Sequence, residues 1–357
     1  MQLRCRVLEK MPQIRSRHRS PFIRHTATTE KINAGSLTYA KVDLNTRHSS
    51  FVAFFRLWHL WHSIMNYVDL SGRAKFRVTG PDRLRYLNGQ LTNDLNALVL
   101  GQAMYAFALT AKGKLAGDLY LRAVNDAFLI DAPPELRESL LARLERYVVA
   151  DDVSIEDVTE RFYLRHFPQS LAPGETRPGI IRSESNRFRR LGTDLFFETE
   201  TVLPAGAGSG ERLGDAEAET LRVVAVMPRW GHELDENVLP QEVGLDDLAI
   251  SYTKGCYLGQ EVVSRIKSVG HVNRRLVKLR LLEGPPLQPG LKLTAPGKPA
   301  PVAGSLTSVA PLPVDGEIYA LGFARRNLAD PGNRLAVVDP ASSGLIGTVE
   351  VCSLNVT

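Results

Sequence analysis

A chain of 357 residues and 39.5 kDa is long enough for two or three packed units, at roughly 150 residues per domain, which excludes one small stapled module. With 44% apolar and 23% charged residues and a mean hydropathy of -0.12, it is neither a polytopic membrane protein nor a wholly disordered one. Cys5, Cys256 and Cys352 include no Cys-x-x-Cys pair, which excludes a disulfide framework or a zinc ribbon and fits a reducing compartment.

The formal net charge of +5 is unevenly placed along the chain. Residues 1–64 hold 11 Lys/Arg against Glu9, Glu30 and Asp43, a net of +8, while the remainder carries 33 bases against 36 acids, a net of −3. This leader also has five of the eight histidines. Its aromatic run from Phe51 to Trp61 is broken by Arg56 and His59 and falls short of the roughly 20 residues that span a bilayer, so no membrane partner is expected. Three readings of the leader stay open: an organelle transit segment, a basic arm for nucleic acid, or upstream sequence outside the natural protein. His59 and His62 have helical spacing but no third ligand, so no metal site is assigned.

From Met65 the pattern mixes α and β. Lys75-Phe-Arg-Val alternates as a strand and meets Thr79-Gly-Pro-Asp, a turn that starts a short helix with Leu84, Leu87 and Leu91 at helical spacing. Tyr105 to Leu109 and Leu119 to Val124 read as strands, the second turning at Asn125-Asp126 into Phe128 to Asp131. Pro133-Pro-Glu opens a helix with Leu136, Leu140, Leu144 and Val148 on one face. Short links between strands predict an antiparallel α+β domain over 65–157. A middle domain over 158–275 begins in a stretch rich in Pro, Gly, Ser and Arg, with a strand candidate at Asp194-Leu-Phe-Phe-Glu. It continues in an amphipathic helix from Asp215 to Val226 and a short apolar element from Leu245 to Ile250. Over 276–357, Val277, Leu279 and Leu281 alternate with Lys278 and Arg280, and recurrent Pro and Gly predict short strands closing a small β-barrel.

The densest chemistry lies in Tyr252-Thr-Lys-Gly-Cys-Tyr-Leu-Gly-Gln-Glu-Val-Val-Ser-Arg265. If Gly255 permits an unusual turn and Gly259 a close backbone approach, Cys256 falls just before a helix N-terminus, where the macrodipole and Lys254 favour thiolate. The competing reading of a lone cysteine is a small buried hydrophobe. Other signatures fail. Gly206-Ala-Gly-Ser-Gly210 has no flanking strand and helix, Gly113-Lys114 is followed by Leu115, there is no Gly-x-Ser-x-Gly, and His166, His232 and His271 lack metal spacing.

Lys254-Gly-Cys-Tyr-x-Gly-Gln-Glu261 resembles the signature of the YgfZ-type folate-binding proteins, which are similar to the glycine-cleavage T-protein, a tetrahydrofolate-dependent aminomethyltransferase, and to mitochondrial iron-sulfur assembly factors. Val78-Thr-Gly-Pro-Asp, Leu87-Asn-Gly-Gln-Leu-Thr-Asn-Asp94, Ala111-Lys-Gly-Lys114, Leu239-Pro-Gln-Glu-Val-Gly-Leu245 and Gly304-Ser-Leu-Thr-Ser-Val extend the resemblance over about residues 66–340. It implies an α+β cloverleaf of three domains, with an antiparallel α+β domain, a ferredoxin-like domain and a C-terminal β-barrel around a folate channel. It also implies a cytoplasmic monomer, or a mitochondrial protein if the leader is a transit segment. Its implied partners are folate and iron-sulfur carrier or client proteins, with tRNA affected indirectly.

The resemblance also exposes departures. The T-protein has Leu-Arg-Ile-Glu-Ala-Gly where this chain has Leu221-Arg-Val-Val-Ala-Val226, which puts Val224 in place of the pterin-binding Glu. Its Gly-Gly-Ile-x-Asp-Asp-Leu, which supplies the Asp near the reactive folate nitrogen, corresponds to Gly113-Lys-Leu-Ala-Gly-Asp-Leu119 and leaves one carboxylate, Asp118. Each charge-assisted hydrogen bond to a pterin edge is worth roughly 1.5–3 kcal/mol, so tetrahydrofolate or a folate derivative is expected to bind weakly or in another orientation, and aminomethyl transfer is disfavoured. Cys256 is the expected functional thiol, Lys254 its electrostatic neighbour, and Gly255 and Gly259 backbone enablers. Tyr257 reads as a packing wall and Asn93 and Asp94 as cap or turn residues near the channel. Gln260 begins the helix. Glu261 is either first-turn charge or a ligand contact, and Arg265 is either its i, i+4 partner or a contact for the folate tail. The leading expectation is a folate-binding accessory factor for maturation or repair of iron-sulfur enzymes; the alternatives are a folate-dependent one-carbon transferase and a direct tRNA-binding protein.

Overall fold

The computed structural model describes residues 66–171, 178–199, 210–297 and 301–353; the leader, with its aromatic run, His59 and His62, lies outside them. Strands β2 (Ala74–Thr79), β3 (Ala103–Leu109), β4 (Leu115–Val124), β5 (Ala127–Ala132) and β6 (Ser154–Asp157) form an antiparallel sheet in the order β3-β4-β5-β2-β6. Asn125, at φ 32°, makes the two-residue turn between β4 and β5, a conformation its short polar side chain tolerates. Helices α1 (Arg83–Gln90) and α2 (Arg137–Arg146) cover one face, where Leu87, Leu91, Leu136, Leu140 and Leu144 pack on Phe76, Val78, Leu121 and Ile130. Each buried leucine contributes about 1.5–3 kcal/mol. Leu84, expected on the buried stripe, is 38% exposed; Tyr86 takes its place.

A second antiparallel sheet has the order β1-β7-β9-β8, from Val68–Asp69 (β1), Tyr163–Phe167 (β7), Ile180–Ser185 (β8) and Gly192–Phe197 (β9). Its edge strand β1 therefore comes from ahead of the first sheet, on the far side of the boundary read at residue 157. The two sheets meet through buried charge. Asp131 on β5 and Asp194 on β9 share Arg122 of β4 and Arg187, with ion-pair distances of 2.7–3.0 Å. Arg73 adds a 2.6 Å contact to Asp131, and His166 a 2.8 Å contact to Asp194. Burial alone would raise both carboxyls, but Arg187 and its neighbours outweigh it and hold them well below the usual carboxylate range.

Helix α3 (Asp215–Val224) ends two residues short of its apolar pattern, because the chain turns at Val226 with φ 56°. The short helix α4 (Asp246–Ala249) and the helix α5 (Gln260–Val269) follow. Strands β10 (Arg274–Glu283), β11 (Lys292–Thr294), β12 (Val302–Val309), β13 (Tyr319–Arg325), β14 (Arg334–Val338) and β15 (Leu345–Cys352) close an antiparallel barrel in the order β10-β13-β12-β11-β14-β15. Val277, Leu279, Leu293, Leu306, Leu335 and Val349 fill it.

Candidate functional site

The segments that carry the sequence resemblance converge on one another. The Lys254 ammonium donates to the carbonyls of Asn88 (2.7 Å), Leu91 (2.9 Å) and Asn93 (2.6 Å), which arrive from the end of α1 and the turn after it. Leu258 N–H donates to Gly89 O at 3.0 Å and Ser251 N–H to Thr92 O at 3.0 Å. Buried Thr92 returns its hydroxyl to Ala249 O at 2.6 Å. The Asn93 amide donates to both Tyr105 O (2.9 Å) and Leu248 O (2.8 Å), and Asp94 caps the turn at 95–97 by accepting from Asn96 N–H. Asn93 and Asp94 are thus stitching and capping residues.

Lys254 is an anchor for this loop. All three of its donors are spent on carbonyls, and among the described residues no hydrogen bond or ion pair joins it to Cys256, the thiol whose electrostatic neighbour it was expected to be. Burial lowers its pKa to about 8, against the opposing charge of Asp94. Cys256 itself is an exposed free thiol. It precedes α5 by a short loop, and the N-cap is Gly259.

The two glycines differ. Gly259 has φ +84°, and a Cβ there would lie 2.6 Å from Thr110 O and 3.0 Å from Leu109 Cβ, so only glycine lets α5 start against the β3–β4 turn. Gly255 needs no special conformation and a Cβ there meets open space, contrary to the unusual turn expected of it. Tyr257 is 7% exposed and packs in the core with Tyr105, Phe107 and Val263. Gln260 reaches back to Gly255 O at 3.5 Å. Glu261 and Arg265 are both exposed, and no ion pair joins them, which removes the i, i+4 pair as an observed contact.

Asp118 sits on β4 and is 6% exposed. Tyr105 donates its hydroxyl to Oδ2 at 3.1 Å, whereas among the described residues Oδ1 has no partner. Burial raises the carboxyl to about 6, with Arg73 and the Tyr105 hydroxyl opposing the shift. A buried acceptor without a donor, beside Tyr105 and Tyr120, has the chemistry that the amino edge of a pterin requires. Val224, expected from the resemblance to replace the T-protein's pterin-binding Glu, closes α3 with an apolar side chain. Asn88 and Thr92 lie in a family-like segment that assigns them no role, and Tyr105 in a strand pattern. Nothing in the local spacing of Asn88 and Thr92 marks them, because Lys254 and Ala249 lie 166 and 157 residues further along the chain, whereas Tyr105 meets Asp118 on the neighbouring strand.

A mixed α+β body with a closed six-stranded barrel defines a T-protein-like architecture. The solved glycine cleavage system aminomethyltransferase T from Bartonella henselae superposes with a TM-score of 0.70 over 84% of this chain and 88% of that one, at 19% identity. The GCVT N-terminal domain model matches residues 61–164. The human mitochondrial iron-sulfur cluster assembly factor IBA57 is 30% identical over 258 residues, 64% of this chain and 71% of the relative. The tRNA-modifying protein YgfZ of Escherichia fergusonii is 29% identical over 227 residues, 58% and 70% of the two chains. This chain belongs to the family that unites those proteins with the glycine-cleavage aminomethyltransferases.

Proposed function

We propose that the protein is a folate-binding accessory factor that assists maturation or repair of iron-sulfur enzymes, with any effect on tRNA passing through a client enzyme. The carrying observation is an exposed thiol, Cys256, on a loop tied to residues 88–93 by Lys254, Leu258 and Ser251. A thiol held this way is accessible to a protein partner while its position is fixed. One cysteine supplies one of the four thiolates that a cluster takes, so in this reading the remaining ligands come from the carrier or client. The relatives named for iron-sulfur assembly and tRNA modification support the same assignment.

Folate in this reading uses Asp118 Oδ1 as its acceptor, with Tyr105 orienting the other oxygen. The transferase alternative lacks the second acceptor at Val224; robust glycine-cleavage activity would restore it. The deciding experiment replaces Cys256→Ser in a deletion strain and assays a cluster-dependent tRNA thiolation enzyme. Rescue is expected to fail, and undiminished rescue removes the thiol from the mechanism. In calorimetry, Asp118→Asn should weaken tetrahydrofolate binding by about tenfold or more, the loss of one charge-assisted hydrogen bond.

A further inference from the structure

Beyond the C-terminus of α5, the start of the barrel carries a cleft of about 620 Å³ whose lining includes His271, Asn273, Arg275, Arg325 and Arg326. Arg274 lies opposite Arg325 and Arg275 opposite Ala324 at the paired ends of β10 and β13, so Arg275 and Arg325 leave the sheet on opposite faces at its rim, and Arg326 N–H donates to Asn273 O at 2.9 Å. The acidic residue in the lining is Asp330, 71% exposed at its side chain and 3.8 Å from Arg275. Among the described residues, the Arg325 and Arg326 guanidiniums have no carboxylate partner, and both are exposed. Guanidiniums donate and never accept, so this lining offers an excess of donors and a net positive charge, on a body of net −3 outside the leader.

We propose that the cleft binds a small ligand carrying two or more linked phosphate groups. Three guanidiniums in one cleft suit a ligand that concentrates several charges over a short length, and each matches phosphate oxygens two at a time. The volume falls within the range of small-molecule sites. Helix α5, about 15 Å long, separates this cleft from the loop of Cys256, so it is a second site.

Calorimetric titration of the full chain with sodium tripolyphosphate, at an ionic strength where the Debye length is about 8 Å, tests the assignment. A one-to-one component is expected, tighter than that for orthophosphate or citrate. Arg325→Ala with Arg326→Ala should weaken it at least tenfold, whereas Arg146→Ala with Arg334→Ala, two other exposed arginines, should leave it within twofold. Both pairs are on the surface, and unchanged circular dichroism verifies their folding. The proposal is overturned by the absence of a one-to-one component, by equal binding in the Arg325/Arg326 variant, by citrate binding as tightly, or by capture of a short single-stranded RNA without tripolyphosphate binding.

Discussion

Asp118 ionises with a pKa raised to about 6, so at neutral pH the chain holds a buried carboxylate with one unsolvated, unpartnered oxygen. A carboxyl whose folded pKa exceeds its unfolded one binds its proton more tightly when folded. Stability therefore falls as pH rises from about 4 to about 6, and the full penalty is present above that. Asp118→Asn should be more stable than the parent by about 2–3 kcal/mol at pH 7.5, and the difference should vanish near pH 4 in urea titrations. A stability gain that accompanies weaker folate binding is the signature of a residue kept for a ligand. At the motif, Gly259→Ala should lose about 2 kcal/mol or more, because it adds left-handed strain to a 2.6 Å clash, while Gly255→Ala should stay within about 0.5 kcal/mol. Equal urea midpoints for the two variants would contradict that contrast. The close approach at Gly259 could be read from the motif, but not that Lys254 serves carbonyls delivered from residues 88–93. Spacing along a loop orders its neighbours in the chain and carries no information about a segment arriving from elsewhere.

The first and second sheets are joined by a cluster in which two buried aspartates each take several guanidinium contacts. Arg187 donates to Asp131 at 2.7 and 3.0 Å and to Asp194 at 2.8–3.0 Å, so it satisfies both carboxylates at once. Arg187→Ala should destabilise by about 3–5 kcal/mol, since it strands buried charge, and Arg187→Lys should not recover the loss because an ammonium lacks the planar fork. Full recovery by lysine in thermal or urea unfolding would show that net charge alone matters. This cluster also explains why the second sheet was faint in the sequence. All six residues of β9 are buried, Thr193 and Asp194 among them, so the strand does not alternate between apolar and polar. The two-residue strand β1 is too short to carry any period. Strands β3, β4 and β5 and helix α2 were visible because one of their faces packs in an ordinary apolar layer.

Across the whole molecule the barrel was legible from its alternation and its Pro/Gly turns, but its attachment to the rest was not. That attachment has an apolar part, where Leu276, Leu321 and Phe323 join the core around Val223, Val226 and Met227, and a polar part. Arg222 on α3 donates to Glu233 (3.0 Å), Met227 O (2.7 Å) and Ser308 on β12 (2.6 Å), and the Ser308 hydroxyl donates to Glu233 at 2.6 Å. Nearby, Leu312 N–H donates to the Thr220 hydroxyl at 3.2 Å. Glu233 is 1% exposed, so removing its guanidinium leaves a buried carboxylate supported, among the described residues, by Ser308 and the Arg229 N–H. Arg222→Met keeps the volume and removes the charge, at an expected cost of about 3–5 kcal/mol. Because Arg222 and Ser308 connect α3 to the barrel, the loss should not spread evenly. Native-state hydrogen exchange should accelerate in β12 and β13 well before β4 and β5, whose packing is untouched. Uniform acceleration across all three sheets would instead mean that the body and the barrel open as one cooperative unit, with the α3 contact merely one of many that hold it closed.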